Sequence, residues 1–168
     1  MSGFRPHVLA AALLALLAAG VLPGCASHPG RGSDLVISGP QVGNPVVGAF
    51  RIESRYGDQG WDHVLVVRKD DDVYPGFAPR RYDRAEIGGI DSEVLRMAEA
   101  ETFCPETCSR HYEIIIRLDE AMIDFGRNTG GLIAHLSASG CACPPFSVRV
   151  GPDYLDRHVR RIGRYRRG

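Results

Sequence analysis

The sequence lacks the short motifs that most often identify an enzyme. It contains no Gly-x-Ser-x-Gly nucleophile elbow, no metalloprotease helix motif and no glycine-rich phosphate loop, so the usual signatures of serine hydrolases, zinc proteases and P-loop proteins are missing. No internal repeat is evident, and lysine occurs once, at Lys69. After Leu22 no apolar run is long enough to span a bilayer. The sequence therefore predicts a soluble, non-catalytic remainder without a cofactor or a metal.

The first 25 residues have the pattern of an export signal. Arg5 and His7 give a short positive start, and Val8 to Leu22 is an almost unbroken run of Ala, Leu and Val. Such a run is too short to span a bilayer comfortably and is typical of a secretory core. It ends in Leu-Pro-Gly-Cys at 22–25, which resembles the lipobox of bacterial lipoproteins. The resemblance implies cleavage of residues 1–24 and acylation of Cys25. An ordinary signal peptide followed by a chance cysteine is the alternative.

The lipoprotein resemblance also implies a location. Proteins of this type carry more than one acyl chain, and two or more chains give stable membrane attachment where one chain binds only marginally. Ala26, and not Asp, follows Cys25, which in Gram-negative sorting favours the outer membrane, facing the periplasm. Residues 25–33 then form the lipidated cysteine and a flexible linker of roughly 15 Å. We expect a membrane-anchored protein of the cell envelope, with no nucleic-acid partner.

Residues 34–164 predict one α+β domain with a mainly antiparallel sheet. Alternation of apolar and polar side chains, or a short apolar run between turn residues, indicates strands. Strands are predicted at 35–37, 50–56, 61–67, 112–118, 121–125, 132–138 and 146–150. Turns are predicted at 57–60 and 128–131, the latter joining 121–125 to 132–138. The charged residues 68–72 end a strand, and 73–90 form a long loop that is either functional or hides an element.

Two helices complete the predicted fold. In the central one, Asp91 is a credible N-cap and Glu93 lies in the first turn, where the helix dipole favours negative charge. Pro105 cannot continue a helix interior, so this helix ends near Phe103. Pro152 opens a terminal helix over 153–164, which the basic tail 165–168 follows. The predicted fold is a disulfide-braced sheet with one central and one C-terminal helix.

Four cysteines remain besides Cys25. They are Cys104, Cys108, Cys141 and Cys143, and an even number in an exported chain indicates two disulfides. The last two side chains would point to the same side of an extended segment. We therefore expect both bridges to run between the two pairs, either 104–141 with 108–143 or 104–143 with 108–141. A four-thiolate metal site is an alternative, although the spacing is not that of paired Cys-x-x-Cys motifs.

The first cysteine pair also permits a different chemistry. The segment Cys-Pro-Glu-Thr-Cys at 104–108 resembles the copper-binding loop of the Sco family of thioredoxin-like copper chaperones. The resemblance covers five residues and implies a copper-binding or thiol-redox protein that uses Cys104 and Cys108. This is the alternative to a non-catalytic function.

The C-terminal segment is basic. From Asp153 onward there are six Arg and two Asp, whereas residues 25–152 carry 13 basic and 18 acidic side chains. Helical spacing would place four of these arginines on much of one face, namely Arg157, Arg160, Arg161 and Arg164. Such a face could bind anionic headgroups, lipopolysaccharide phosphates or an acidic partner protein. A solvated helix, or one paired with the acidic body of its own domain, is the alternative.

The other polar residues suggest little chemistry. His135 could lie diagonally across from Asp124 and act as a general base, with Ser137 and Ser139 close in sequence. The three aspartates at 70–72 lack the Gly and the further oxygen ligands of a calcium loop, and they predict a solvated turn. We therefore expect a binding or assembly-support module of the envelope. Its working surface would be the 73–90 loop or the Arg-rich terminus.

Overall fold

Antiparallel strands dominate the protein. The computed structural model describes residues 35–73, 80–102 and 108–165. Ten strands and two helices occur in these residues. In chain order they are β1 (Leu35–Ser38), β2 (Val42–Asn44), β3 (Gly48–Gly57), β4 (Gly60–Val73), β5 (Arg81–Ile87), β6 (Ile90–Ser92), β7 (Val94–Thr102), β8 (Cys108–Leu118), α1 (Glu120–Thr129), β9 (Leu132–Ser139), β10 (Phe146–Val150) and α2 (Pro152–Tyr165).

The strands form two sheets. The large sheet has six strands in the order β1-β3-β4-β8-β7, with β2 also pairing with β3. The small sheet has four strands in the order β10-β9-β5-β6. Every pairing in both sheets is antiparallel. The β3–β4 hairpin sets Ile52 opposite Leu65, and β4 continues its pairing with β8 from His63 to Val73.

The hydrophobic core lies on one face of the large sheet. Alternate residues of β3, β4 and β8 supply buried side chains, including Ile52, Leu65 and Ile116. The small sheet contributes Tyr82, whose ring meets that of Tyr112 on β8 edge-on at 5.2 Å between centroids. Helix α2 covers another part of this face with Tyr154, Leu155, His158 and Ile162, all of which are buried.

Tyr154 fixes α2 against β3. Its hydroxyl accepts the backbone N–H of Ile52 at 3.0 Å and donates to the carbonyl of Pro40 at 3.0 Å. Its ring meets Phe50 edge-on at 5.3 Å between centroids. These contacts set which face of α2 is buried and which remains in solvent.

The predicted helix from Asp91 to Phe103 is wrong. Residues 90–92 and 94–102 are strands β6 and β7, and β7 pairs with β8. A β-bulge between Val94 and Arg96 sets Val94 and Met97 opposite Ile116 and Ile114. Asp91, predicted as the N-cap, lies within β6, and Glu93 lies between β6 and β7. Pairing with a strong neighbouring strand overrides the helix propensity of the Ala- and Glu-rich segment.

The predicted strand at 121–125 is also wrong. Residues Glu120–Thr129 form helix α1, and the Gly pair at 130–131 ends that helix instead of turning a hairpin. Gly130 has φ 92°, a left-handed conformation, and the N–H of Gly131 donates to Gly126 O at 2.7 Å. An Asn-Thr-Gly-Gly sequence suits either role, because glycine is favoured at helix C-termini and in turns alike. Strand β9 instead pairs with β5 and β10.

The expected end of β4 at 68–72 is likewise wrong. The strand continues to Val73 and remains paired with β8 throughout. Within the predicted 73–90 loop the structure contains β5 and the first residue of β6, while residues 74–79 lie outside the described ranges. The prediction missed the extension because a run of charged residues usually marks the end of a strand. Here Lys69 and Asp71 point inward and form an ion pair with each other.

The remaining predicted elements agree with the structure. Six predicted strands and the C-terminal helix are present. The strands are β1, β3, β4, β8, β9 and β10, predicted at 35–37, 50–56, 61–67, 112–118, 132–138 and 146–150, and the helix is α2, predicted at 153–164. The described protein is thus mostly antiparallel sheet with two helices, and it is richer in sheet than predicted. The predicted leader at 1–24, the predicted lipidation site Cys25, the predicted linker to residue 33 and residues 166–168 lie outside the described residues. Neither described helix has the length and apolar character needed to cross a membrane.

Candidate functional site

Helix α2 divides cleanly into a buried and an exposed face. Tyr154, Leu155, His158 and Ile162 face the core, and the exposed side carries four arginines, which we call the basic face: Arg157, Arg160, Arg161 and Arg164. The two sets interleave at the spacing of an amphipathic helix. The structure therefore places all four sequence-predicted arginines in solvent.

The basic face makes little direct contact with carboxylates, although the charge of Arg160 helps to lower the pKa of Asp156. Among the described residues, none of the four guanidinium groups makes an ion pair, and only Arg161 makes a hydrogen bond, to Ser38 O at 2.8 Å. The nearby Asp156 is bound instead by Arg127 Nε at 2.7 Å. That bond lowers the pKa of the Asp156 carboxyl. Pairing with the acidic body of the domain, the alternative for these arginines, is not seen in the described part.

An aromatic cluster lies beside the end of α2. Tyr56 and Trp61 are paired across the β3–β4 hairpin, with ring centroids 5.2 Å apart. They line a cavity of about 590 Å³ together with Leu35, Gln59, Gly60, the acidic Glu120 and Tyr165, the last residue of α2. We call the three aromatic residues Tyr56, Trp61 and Tyr165, together with the aliphatic Leu35, the aromatic rim. Tyr56 and Tyr165 are more than half exposed, so apolar and aromatic surface borders the basic face.

A polar cluster is buried where α2 crosses the large sheet. The hydroxyl of Ser54 lies 2.6 Å from Nδ1 of His63 and 2.7 Å from Nε2 of His158. Ser54 has no exposed surface, and the two imidazoles are almost completely buried. The hydroxyl has one proton, so it donates to one imidazole nitrogen and accepts from the N–H of the other. These hydrogen bonds tie α2 to β3 and β4, and Ser54 and His63 also line a cavity of about 430 Å³.

His158 is held in its neutral form. Burial, then the charge of His63 and that of Arg161, lower its pKa to about 4. Its Nε2 is bonded to Ser54, while its Nδ1 is buried and has no hydrogen-bond partner in the described part of the chain. His158 also lines a small cavity of about 100 Å³ with Gly39, Pro40, Tyr154, Arg157 and Arg161.

Asp71 forms a second buried cluster. One carboxylate oxygen lies 2.9 Å from Lys69 Nζ, and the other accepts from the Tyr82 hydroxyl at 2.7 Å and from Arg80 at 3.2 Å. Burial raises the pKa of Tyr82 to about 12. The expected solvated turn at 70–72 is therefore wrong for Asp71, although Asp72 is exposed. Lys69 and Asp71 point inward because they continue the β4 phase that carries Leu65 and Val67.

The cysteines pair differently from the prediction. Cys141 and Cys143 form a disulfide with each other, with their Cα atoms 5.2 Å apart. The expectation that both bridges join the two pairs is wrong for these residues, since each has its partner two positions away. Cys108 begins β8, while its side chain and all of Cys104 lie outside the described residues. The copper or thiol-redox alternative remains a sequence-based hypothesis.

The structure does not assemble the His135 and Asp124 pair. Nδ1 of His135 lies 2.7 Å from the hydroxyl of Ser147, its cross-strand neighbour on β10. Asp124 is on α1, not on a paired strand, and it accepts from Arg127 at 3.0 Å. Ser139 bonds to Asp83 through its hydroxyl and its N–H. The predicted register failed because 121–125 is helical.

The Ser54 cluster escaped sequence reasoning because one of its members lies on a distant element. Ser54 follows Phe50 and Ile52 in the inward phase of β3, and His63 precedes Leu65 in the inward phase of β4. A polar residue in the apolar phase of a strand is a detectable signal for a buried polar contact. The partner on α2 is 104 positions away from Ser54, so no local pattern identifies it.

Comparison of the chain with protein-family models, curated proteins and solved structures yields no match.

Proposed function

We propose that the protein is a lipid-anchored, non-catalytic lipoprotein of the cell envelope, a binding or assembly-support module that engages an anionic surface through the basic face of α2. The observation that carries this proposal is the set of four exposed arginines without an ion-paired carboxylate among the described residues. Unpaired guanidinium groups on a rigid helix form a preorganised site for phosphate or carboxylate groups.

The energies are sufficient for docking a tethered domain. A basic side chain near an anionic membrane contributes about 1 kcal/mol, so four contribute about 4 kcal/mol before screening by salt. This binding free energy would give only weak membrane binding for a protein that is free in solution. A lipid anchor at Cys25 would hold the domain at a high effective concentration next to the surface, where a weak contact is enough.

The aromatic rim supports a membrane as the surface that is bound. Tyr and Trp side chains favour the membrane–water interface because each combines an apolar ring with a polar group. Tyr165 and Trp61 line the same cavity at the end of α2, next to the basic Arg164. The described surface thus combines cationic and interfacial side chains in one region.

The chain contains a built-in probe for this docking, because Trp61 is its single tryptophan. The acylated protein, purified from membranes, would be reconstituted into vesicles that carry brominated lipids, which quench nearby Trp fluorescence. We expect stronger quenching in vesicles with phosphatidylglycerol than in purely zwitterionic ones, and a loss of that difference at high salt. The anchor keeps every sample membrane-bound, so the signal reports only the position of the domain.

A charge-matched pair of variants gives the decisive comparison. The first replaces the four arginines of the basic face with Gln. The control replaces four exposed arginines on the sheets with Gln, namely Arg81, Arg84, Arg96 and Arg149. We expect the first variant to lose the extra quenching on anionic vesicles and the control to retain it. Equal quenching in both variants and in the unaltered protein would refute the proposed surface.

A further inference from the structure

A small cavity beside α2 is lined by two arginines and one histidine, whose side chains can donate hydrogen bonds to an anion. Arg157, His158 and Arg161 line it together with Gly39, Pro40 and Tyr154. The four α2 residues are separated by one, three, four or seven positions, so they share one face across two helical turns. No carboxylate lines this cavity.

The hydrogen-bonding capacity of the lining is largely unused. The Tyr154 hydroxyl is occupied, since it accepts from Ile52 and donates to Pro40. Arg161, which also lines the cavity, donates one N–H to Ser38 O at 2.8 Å and has its other N–H groups available. Arg157 makes no ion pair or side-chain hydrogen bond with the described residues. Two guanidinium groups therefore present free donors to one small space.

His158 supplies the second, independent observation. The side chain is 4 % exposed, its Nε2 is fixed by Ser54 at 2.7 Å, and its Nδ1 has no partner among the described groups. A buried polar atom without a partner is costly and uncommon in folded proteins. When the Ser54 hydroxyl donates to Nε2, the single proton of the neutral ring lies on Nδ1, and an acceptor oxygen of a bound group would be its partner.

We propose that this cavity binds one phosphate group, either that of a lipid headgroup or free inorganic phosphate, with Arg157 and Arg161 as the guanidinium ligands and His158 as the buried donor. This inference rests on the proposed function and deepens it, because it assigns two of the four arginines to a discrete site. Guanidinium groups suit such a ligand since their planar donors match two phosphate oxygens at once. Arg160 and Arg164 lie outside the cavity and serve only the general basic face.

The test uses the full chain and inorganic phosphate at constant ionic strength, with chloride as the balancing anion. Binding is measured by calorimetry and by the shift of the His158 ring resonances in NMR spectra. We expect saturable binding that Arg157→Gln or Arg161→Gln weakens about tenfold or more, the effect of losing a charge-assisted hydrogen bond. The matched controls are Arg84→Gln and Arg149→Gln, which remove the same charge from exposed positions on the small sheet and should weaken binding less than about twofold.

A second titration separates the two sources of phosphate. It uses a short-chain phosphatidic acid below its micelle concentration, with the same variants. Saturation by either probe with the expected ranking of variants supports the site, and binding of the lipid alone assigns the phosphate to a headgroup. Equal weakening by all four variants, or no saturation with either probe, would overturn the cavity as a site. The Trp61 quenching experiment is independent of this result, so the basic face can stand if the cavity fails.

Discussion

Ser54 on β3 and His158 on α2 are joined by a 2.7 Å hydrogen bond between residues 104 positions apart. The bond lies in the core at the place where α2 meets the large sheet, and His63 contacts the same hydroxyl at 2.6 Å. It therefore couples the position of α2, and with it the basic face, to the interior of the large sheet.

Removing the shared hydroxyl should destabilise the protein. In Ser54→Ala two buried imidazole nitrogens lose their partner, and each unsatisfied buried polar group costs about 1–3 kcal/mol. We expect a loss of about 2–4 kcal/mol in the free energy of unfolding, measured by urea denaturation. Ser147→Ala is the control, because it removes an equally short bond to His135 at an exposed site. It should cost less than about 1 kcal/mol, and a similar loss in both variants would contradict this role of the cluster.

The same cluster should make stability depend on pH. The pKa of His158 is about 4 in the folded protein and near its ordinary value of 6.5 when unfolded. Between these values the unfolded chain binds the proton and the folded chain does not, so stability falls as the pH is lowered from about 6.5 to about 4. The loss from this residue reaches about 3 kcal/mol. Urea unfolding at several pH values should show this slope, and His158→Gln should flatten it. An unchanged slope in that variant would assign the titration to other groups.

Replacing Gly126 on α1 compares the effect of core packing on stability with that of helix propensity. A Cβ built there would lie 2.8 Å from Leu155 Cδ1 on α2 and closer still to Leu132. Gly126→Ala gains up to about 1 kcal/mol of helix propensity but overpacks the core, which costs about 1–3 kcal/mol. We expect net destabilisation. Gly163→Ala on α2 is the matched control, since a Cβ there meets nothing within 4 Å. It should stabilise by a few tenths of a kcal/mol to about 1 kcal/mol, as measured by thermal unfolding.

Thiol counting distinguishes the two functional classes proposed from the sequence. In protein taken from an oxidising compartment, with the Cys141–Cys143 bond in place, we expect no free thiol after denaturation without reductant. Mass spectrometry of the unreduced digest should find Cys141 and Cys143 linked within a single peptide. Reactive thiols at Cys104 and Cys108, with copper retained through purification, would favour the copper or thiol-redox alternative. The same spectra would report acylation of Cys25.

Local sequence patterns predicted the secondary structure correctly where apolar residues recur with one regular period along an element. The strand at 112–118 and the helix at 153–164 both have strict periodicity, and both occur in the structure. The prediction for 94–102 was wrong because pairing with β8 overrides the cap-like Asp91 and Glu93, and the prediction for 121–125 was wrong because a glycine pair can end a helix or turn a hairpin. The pairing of 94–102 with β8 joins segments that are distant in sequence, so no local pattern reveals it.

The candidate site likewise has features that the sequence determines and features that only the tertiary structure determines. The sequence determined by itself that four arginines share one helical face, because helical spacing and charge are local properties. It also determined the leader-like segment and the cysteine pairs, which are readable from composition and order. Only the tertiary structure decided that this face is unpaired, that His158 is enclosed against Ser54, and that Arg157 and Arg161 share a cavity with Gly39. Those relationships depend on packing between segments far apart in the chain, and no local pattern encodes which surfaces meet.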